Sequence, residues 1–129
     1  MPIDYERDDV NRRVLITFQG EFHAPDVFAV IARYHAEDTW SYGLIWDTRR
    51  LTGTPTLADL RQFIRQDAQD RPGAGTRGPV AILATNPFVY GLACSYAALG
   101  RSKMTIGVFR DVEEADAWLT AQTIRSAAP

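Results

Sequence analysis

The chain has 129 residues, of which 46% are apolar and 23% are charged, and its formal net charge is −2 at pH 7. This length suffices for a buried core, and the composition is that of a globular domain rather than of a disordered segment. The nearly balanced charge argues against nucleic acid as a partner. No apolar run approaches the ~20 residues of a membrane span, and a lone cysteine favours a reducing, cytoplasmic location.

The first part of the chain predicts a β-hairpin followed by a helix and a strand. Residues 3–6 and the alternating segment 14–18 form the two hairpin strands, joined by a turn-like polar segment. Apolar residues then recur at helical spacing through residues 24–38. Residues 44–47 are a short apolar strand, and Gly53 and Pro55 indicate that residues 48–55 form a loop.

The second part continues the alternation of helices and strands. Thr56 and Asp59 resemble a capping box at a helix start, and residues 80–84 are apolar on both faces, as in a covered central strand. Asn86 and Pro87 begin a helix that Gly100 ends. Residues 104–109 form the last strand before a helix capped by Asp111.

These elements predict one α/β domain over residues 1–125, with a frayed tail at 126–129. Strands that alternate with helices favour right-handed crossovers and a mostly parallel sheet, to which the hairpin adds one antiparallel edge strand. We therefore predict a mixed five-stranded sheet with an N-terminal β-hairpin and four helices.

Three glycines, Gly73, Gly75 and Gly78, match the spacing G-x-G-x-x-G. A dinucleotide site needs this motif between a strand and the helix that follows it, because the helix N-terminus meets the pyrophosphate. Here the glycines follow a helix and precede a strand. We interpret them as a connection and expect no cofactor.

The two histidines and the cysteine also carry no recognisable chemistry. His23 and His35 flank opposite ends of one predicted helix, too far apart to share a metal, and Cys94 lies within a helix with no local partner. We predict no catalytic and no metal-binding residues.

The most suggestive segment is residues 46–56, which runs from the end of a strand to the start of a helix. Open α/β sheets bind their ligands at this edge. The segment offers one acid, two arginines and several hydroxyls as candidate ligand- or partner-binding residues: Asp47, Arg49, Arg50, Thr52, Thr54 and Thr56. The alternative is structural, with a turn-capping acid, solvated arginines and an N-cap threonine.

The helix that starts at Asn86 has two apolar faces. We predict that one is buried through Phe88, Leu92, Tyr96 and Leu99. The second, milder face makes Tyr90, Cys94 and Ala97 candidates for a homodimer interface, because small residues allow close helix contact; the alternative is a helix buried on all sides.

Two segments resemble the SpoIIAA-like, or STAS-like, proteins. They are residues 78–93, GPVAILATNPFVYGLA, and residues 108–119, VFRDVEEADAWL. The resemblance implies a hairpin followed by a right-handed β-α superhelix, related to anti-anti-sigma factors and to lipid-binding Sec14 domains. The anti-anti-sigma branch carries a phosphorylated serine in an Asp-Ser-Ser-Gly signature. This chain lacks that signature, with Thr56 nearest in position, so we do not transfer the phosphorylation switch.

Three functions follow as hypotheses. The first is a non-enzymatic regulatory or protein-interaction module, expected to be a homodimer. The second is a carrier of a small apolar molecule or lipid, with a cavity lined by aromatic side chains: Phe28, Tyr34, Phe63, Phe88 and Tyr96. The third is an enzyme that uses Asp47 with Arg49 or Arg50, which requires these side chains to meet at a pocket.

Overall fold

A computed structural model describes residues 3–67, 77–101 and 104–127 of the chain. Within these ranges it contains five strands and four helices. In chain order these are β1 (Ile3–Asp8), β2 (Arg13–Glu21), α1 (Ala24–Ala36), β3 (Gly43–Thr52), α2 (Leu57–Asp67), β4 (Val80–Leu83), α3 (Pro87–Gly100), β5 (Ile106–Phe109) and α4 (Val112–Ala127).

The strands form one mixed sheet in the order β1-β2-β3-β4-β5. β1 pairs with β2 in antiparallel fashion, and each later neighbour is parallel. The predicted α/β class, hairpin and mostly parallel sheet are confirmed. We call the side where β2–β5 begin the amino edge of the sheet, and the side where they end the carboxyl edge.

The helices cover the two faces of the sheet unequally. α1, α2 and α3 pack on one face and share a large apolar core with it, including Ile16, Ile31 and Phe63. α4 packs alone on the other face, where Ala115 and Leu119 contact Ile45 and Leu83. The larger core therefore lies beneath three helices.

β3 corrects one sequence prediction. Residues 48–52 continue the strand to Thr52 instead of starting a loop, because they pair with the end of β2. The register shifts between Thr17 and Gln19, which are opposite Asp47 and Arg50. β3 thus holds one more residue than β2 across this interval, which is the geometry of a β-bulge. Gly53, at a φ of 80°, ends the strand in a conformation that favours glycine.

The ends of other elements differ slightly from the predicted bounds. α1 ends at Ala36 and β5 begins at Ile106, each two residues inside its predicted range. α4 continues to Ala127 and so includes two residues that the sequence analysis assigns to the tail.

Gly78 has a packing role. A Cβ there would lie 2.6 Å from the carbonyl oxygen of Ser41 and would collide with that of Tyr42. Its N–H donates to the Trp40 carbonyl at 3.0 Å, which fixes the entry to β4. Gly78 thus allows two backbone segments to approach closely. Gly73 and Gly75, the other glycines of the motif, lie outside the described residues.

Candidate functional site at the carboxyl edge

The segment singled out from sequence lies at the carboxyl edge, as the end of β3 and its connection to α2. Its arginines and threonines are exposed: Arg49, Arg50, Thr52, Thr54 and Thr56. Consecutive strand residues face opposite sides of a sheet. Asp47 pairs with Leu83 and therefore lies on the α4 face, whereas Trp46 belongs to the core under α1–α3.

Asp47 is occupied by its own neighbour. Its two carboxylate oxygens each accept a hydrogen bond at 2.9 Å from the Arg49 guanidinium, and Oδ1 also accepts from the Arg49 backbone N–H at 3.1 Å. Burial alone would raise the pKa of Asp47, but these hydrogen bonds outweigh it and lower the pKa. Asp47 is therefore an ionised group with its charge already matched.

Thr56 and Asp59 form the predicted capping box. The Thr56 hydroxyl accepts from the Asp59 N–H at 3.1 Å, and the Asp59 carboxylate accepts from the Thr56 N–H at 2.9 Å. Both side chains therefore satisfy backbone donors at the start of α2. The Thr56 side chain has this structural use, and no further role is needed to explain it.

A partly open cavity of about 80 Å³ lies beside this segment, between the sheet and helices α1–α3. Its walls are almost entirely carbon and come from strands β2–β4, from helices α1–α3 and from the connections that follow β2 and β3. β3 contributes three residues, Trp46, Thr48 and Leu51. Asp47, Arg49 and Arg50 do not line it. The convergence on a pocket that the enzyme hypothesis requires does not occur at this cavity.

The cavity differs from the one predicted by the carrier hypothesis. Phe63 and Tyr96 line it, as expected. Phe28 packs edge-on against Phe63 at 4.9 Å between ring centroids, outside the lining. Tyr34 is buried deeper in the core and Phe88 is 65% exposed. The predicted lining is therefore wrong for three of its five residues.

Three polar side chains reach the cavity wall. The Thr48 hydroxyl donates to the Leu83 carbonyl at 2.6 Å. The Tyr96 hydroxyl and the Trp46 indole Nε1 are buried, and neither has a hydrogen-bond partner among the described residues. Trp46 is held in the central strand between aromatic neighbours, with centroid distances of 5.4 Å to Phe18 and 6.5 Å to Tyr96.

α3 turns a different face to the core from the one predicted. Val89, Ala93, Tyr96, Ala97 and Gly100 are buried, whereas Phe88 and Leu99 are exposed. The small residues bring α3 close to the sheet, as at Gly100, where a Cβ would lie 2.8 Å from Ile106. Ala97 is therefore buried within its own chain and is not available as an interface residue.

The other two interface candidates lie on the outer side of α3. Cys94 is exposed. Tyr90 is half-buried, with the Arg110 guanidinium 4.1 Å from its ring centroid. Their role in a homodimer stays a prediction.

The amino edge contains a buried polar network that sequence analysis missed. Asp67, the last residue of α2, is fully buried. Its Oδ1 accepts hydrogen bonds from the Tyr34 hydroxyl and from Arg77 at 3.0 Å, and lies 3.2 Å from Nε2 of His35. The Arg77 guanidinium also lies 5.0 Å from the Trp40 ring centroid. This network joins α1 and α2 to the residues that precede β4.

Charge and burial in this network shift several pKa values. Burial would raise the pKa of Asp67, but the hydrogen bond from His35 and the charge of Arg77 outweigh burial and lower it. Burial and then the Asp67 charge raise the pKa values of Tyr34 and Tyr96 well above their usual value. At neutral pH Asp67 is therefore ionised, whereas the hydroxyl of Tyr34 in the network and the nearby hydroxyl of Tyr96 stay protonated.

A sequence signal for this network was present but weak. Aspartate is almost never fully buried unless it is paired. Asp67 lies at i+4 from Phe63, on the apolar face of α2. An acid in that register predicts a buried partner, although its identity depends on tertiary packing.

Residues 3–67, 77–101 and 104–127 lack two features, a metal-binding cluster and a membrane-spanning helix. No group of three or more histidine, cysteine, aspartate or glutamate side chains in these ranges is arranged to hold a metal ion. No helix within residues 3–67, 77–101 and 104–127 is both long and apolar enough to cross a membrane.

Comparison with known proteins gives matches of structure only. No protein-family profile matches the sequence, and no curated protein sequence is significantly similar to it.

Three solved structures share the fold. An uncharacterised DUF3478-family protein from Shewanella loihica PV-4, with a SpoIIAA-like fold, aligns with a TM-score of 0.61 at 14% identity over 92% of each chain. An anti-sigma factor antagonist from Mycobacterium paratuberculosis aligns with a TM-score of 0.60 at 14% identity, over 92% of this chain and 95% of that one. The anti-sigma factor antagonist SpoIIAA, in its unphosphorylated form, aligns with a TM-score of 0.55 at 17% identity, over 99% of this chain and 100% of SpoIIAA. The chain therefore has a SpoIIAA-like fold, which confirms the resemblance seen in the sequence.

Proposed function

We propose that this chain is a non-enzymatic regulatory module that binds a partner protein through its carboxyl edge. The observation that carries the proposal is a pair of exposed apolar side chains on neighbouring helices. Leu57, the first residue of α2, is 45% exposed, and Phe88, in the first turn of α3, is 65% exposed. Aromatic residues, phenylalanine among them, are enriched at the centres of protein interfaces relative to the rest of the surface.

The surroundings of this pair fit a protein interface. Arg50 and Thr52 are exposed at the end of β3, and Thr54 is exposed in the connection to α2; together they would form a polar rim. Specific interfaces combine a buried apolar centre with a polar, solvated rim. Two of the structural neighbours are anti-sigma factor antagonists, which supports a protein rather than a nucleic acid or a membrane as the partner.

The proposal is tested with a partner captured from the native cells by cross-linking and then purified. We expect Leu57→Ser or Phe88→Ser to weaken its binding to the purified chain by about tenfold or more, because loss of an interface anchor costs above ~1.4 kcal/mol. Isothermal titration calorimetry measures this directly.

Val10→Ser is the matched control for these variants. Val10 is 92% exposed but lies in the β1–β2 turn at the amino edge. We expect this variant to bind like the unchanged chain. Equal binding by all three variants would place the interface elsewhere and refute the proposal, as would the absence of any captured protein.

The predicted homodimer and cytoplasmic location belong to the same proposal. Light scattering at tens of micromolar, a rough scale for a stable interface, tests the dimer: a monomer would count against it. If the chain is a dimer through the outer side of α3, Cys94→Arg should produce a monomer.

A further inference from the structure

The cavity between the sheet and helices α1–α3 has a composition that restricts what can occupy it. No charged side chain lines it, and its walls are nearly all carbon. An ion placed there would lose its hydration without gaining a counter-charge. The Asp67 charge is close enough to act on Tyr96, which lines the cavity, and so an anion in particular is disfavoured. The occupant must therefore be uncharged.

Among the residues that line the cavity, one buried polar atom lacks a partner that its surroundings could supply. The Thr48 hydroxyl is already bonded to a carbonyl. The Tyr96 hydroxyl has the Asp67 carboxylate in its vicinity, and the second oxygen of that carboxylate has no other partner among the described residues. The Trp46 indole can only donate, and no acceptor meets it in the described part of the chain.

An unpaired buried donor is costly. Leaving such a group without an acceptor costs a folded protein about 1–3 kcal/mol. Trp46 is 9% exposed and lies in the middle strand of the sheet, where repacking would disturb the core. An acceptor brought by a ligand would remove this cost.

We propose that this cavity binds a small, uncharged, mainly apolar molecule whose acceptor oxygen receives a hydrogen bond from Trp46 Nε1. The cavity holds about 80 Å³, whereas an engineered apolar cavity of about 150 Å³ accommodates benzene. The enclosed part of the ligand is therefore smaller than benzene, and a five-membered ring would project in part through the open side of the cavity. A ketone, an ester carbonyl or an ether has suitable chemistry. This proposal does not depend on the partner-binding surface proposed above.

The test uses two probes of equal shape, cyclopentanone and methylenecyclopentane, which differ by an acceptor oxygen in place of a methylene group. Titration is followed by the indole N–H resonances in ¹H–¹⁵N spectra, with Trp46 assigned from Trp46→Phe. We expect cyclopentanone to shift the Trp46 indole proton downfield in a saturable manner. We also expect it to bind about three- to tenfold more tightly than the hydrocarbon, the gain typical of one hydrogen bond.

Three variants separate the possible causes. Trp46→Phe should abolish the preference for the ketone while both probes still bind. Ala93→Leu, which fills the cavity from α3, should abolish binding of both probes while the Trp46 resonance remains available. Trp118→Phe is the control, because Trp118 packs against Phe109, on the α4 face of the sheet, and should change neither affinity.

Two results would overturn the proposal. One is the absence of saturable binding of either probe up to its solubility. The other is equal affinity for the two probes with an unmoved Trp46 indole resonance, which would describe a dry apolar cavity without acceptor recognition. If Trp46→Phe fails to fold, the ratio of affinities in the unchanged chain and the Ala93→Leu result decide the question.

Discussion

The two edges of the sheet use polar groups in opposite ways. At the amino edge, Asp67 and Arg77 are withdrawn from water and tie helices α1 and α2 to the start of β4. At the carboxyl edge, Arg50 and Thr54 are exposed, and the buried space beside them is apolar. The contrast teaches that charge is buried to secure the fold at one edge, whereas at the other edge polar groups stay in water beside an apolar cavity.

The largest expected effect comes from breaking the amino-edge network. Asp67→Ala leaves the Arg77 guanidinium buried without its carboxylate, and removal of one member of a buried ion pair costs about 3–5 kcal/mol. Urea unfolding measures this loss. Asp47→Ala is the matched control, since its partner Arg49 is 38% exposed, and it should cost about 1 kcal/mol. Equal losses would remove the contrast between the edges.

A second change tests the close approach of backbones near the amino edge. Gly78→Ala places a Cβ against the carbonyl groups of Ser41 and Tyr42, and we expect a loss of about 3 kcal/mol, the upper end of the usual overpacking cost. Gly91→Ala makes the same chemical change on an open surface of α3, where nothing lies within 4 Å. That control should gain about 0.4–1 kcal/mol. Thermal unfolding compares the two.

Acid provides a reversible way to weaken the same network. Because the folded pKa of Asp67 is lowered, its contribution to stability is complete above the unfolded pKa of about 3.9 and is lost as the pH falls through the folded value. The difference in unfolding free energy between the unchanged chain and Asp67→Asn should therefore shrink below about pH 4. A constant difference down to pH 2, about two units below that reference value, would contradict the lowered pKa.

The smallest effects on stability are expected at the carboxyl edge. Leu57→Ser and Phe88→Ser alter side chains that already contact water, and such substitutions usually change stability by less than about 0.5 kcal/mol. Urea unfolding of both variants checks this. A loss above ~1.5 kcal/mol would mean that these side chains support the fold instead of being available to a partner.

The fold was predictable because local rules agreed with one another. Alternating apolar residues in β2, the Asn86 cap of α3 and the capping box at Thr56 each indicated an element that the structure contains. The end of β3 was not predictable in this way. Gly53 and Pro55 suggested an early loop, but pairing with β2 continued the strand to Thr52.

The sites were less accessible to sequence analysis because they depend on which face an element turns inward. α3 is apolar on several sides, and so its pattern did not show that Ala93 and Ala97 face the sheet while Phe88 faces water. The partners of Asp67 come from two separate segments, α1 and the residues that precede β4, and are brought together only by the crossovers. The segment at the end of β3 lies beside the cavity, but it contributes Thr48, Leu51 and Pro55 to the lining rather than the candidate residues chosen from sequence.

The bulge in β3 has a consequence for comparing this chain with others. Trp46 and Leu51 both line the cavity although they are five positions apart, an odd interval that a regular strand would place on opposite faces. The extra residue restores Leu51 to the cavity and leaves Arg50 on the side of Asp47. A related strand with one residue fewer and no bulge would have the same wall. A strand of equal length without the bulge would turn the residue at the position of Arg50 toward the cavity. An arginine there would allow the cavity to bind an anion. The number of residues between Trp46 and Leu51, odd or even, therefore decides together with the bulge which side chains face the cavity.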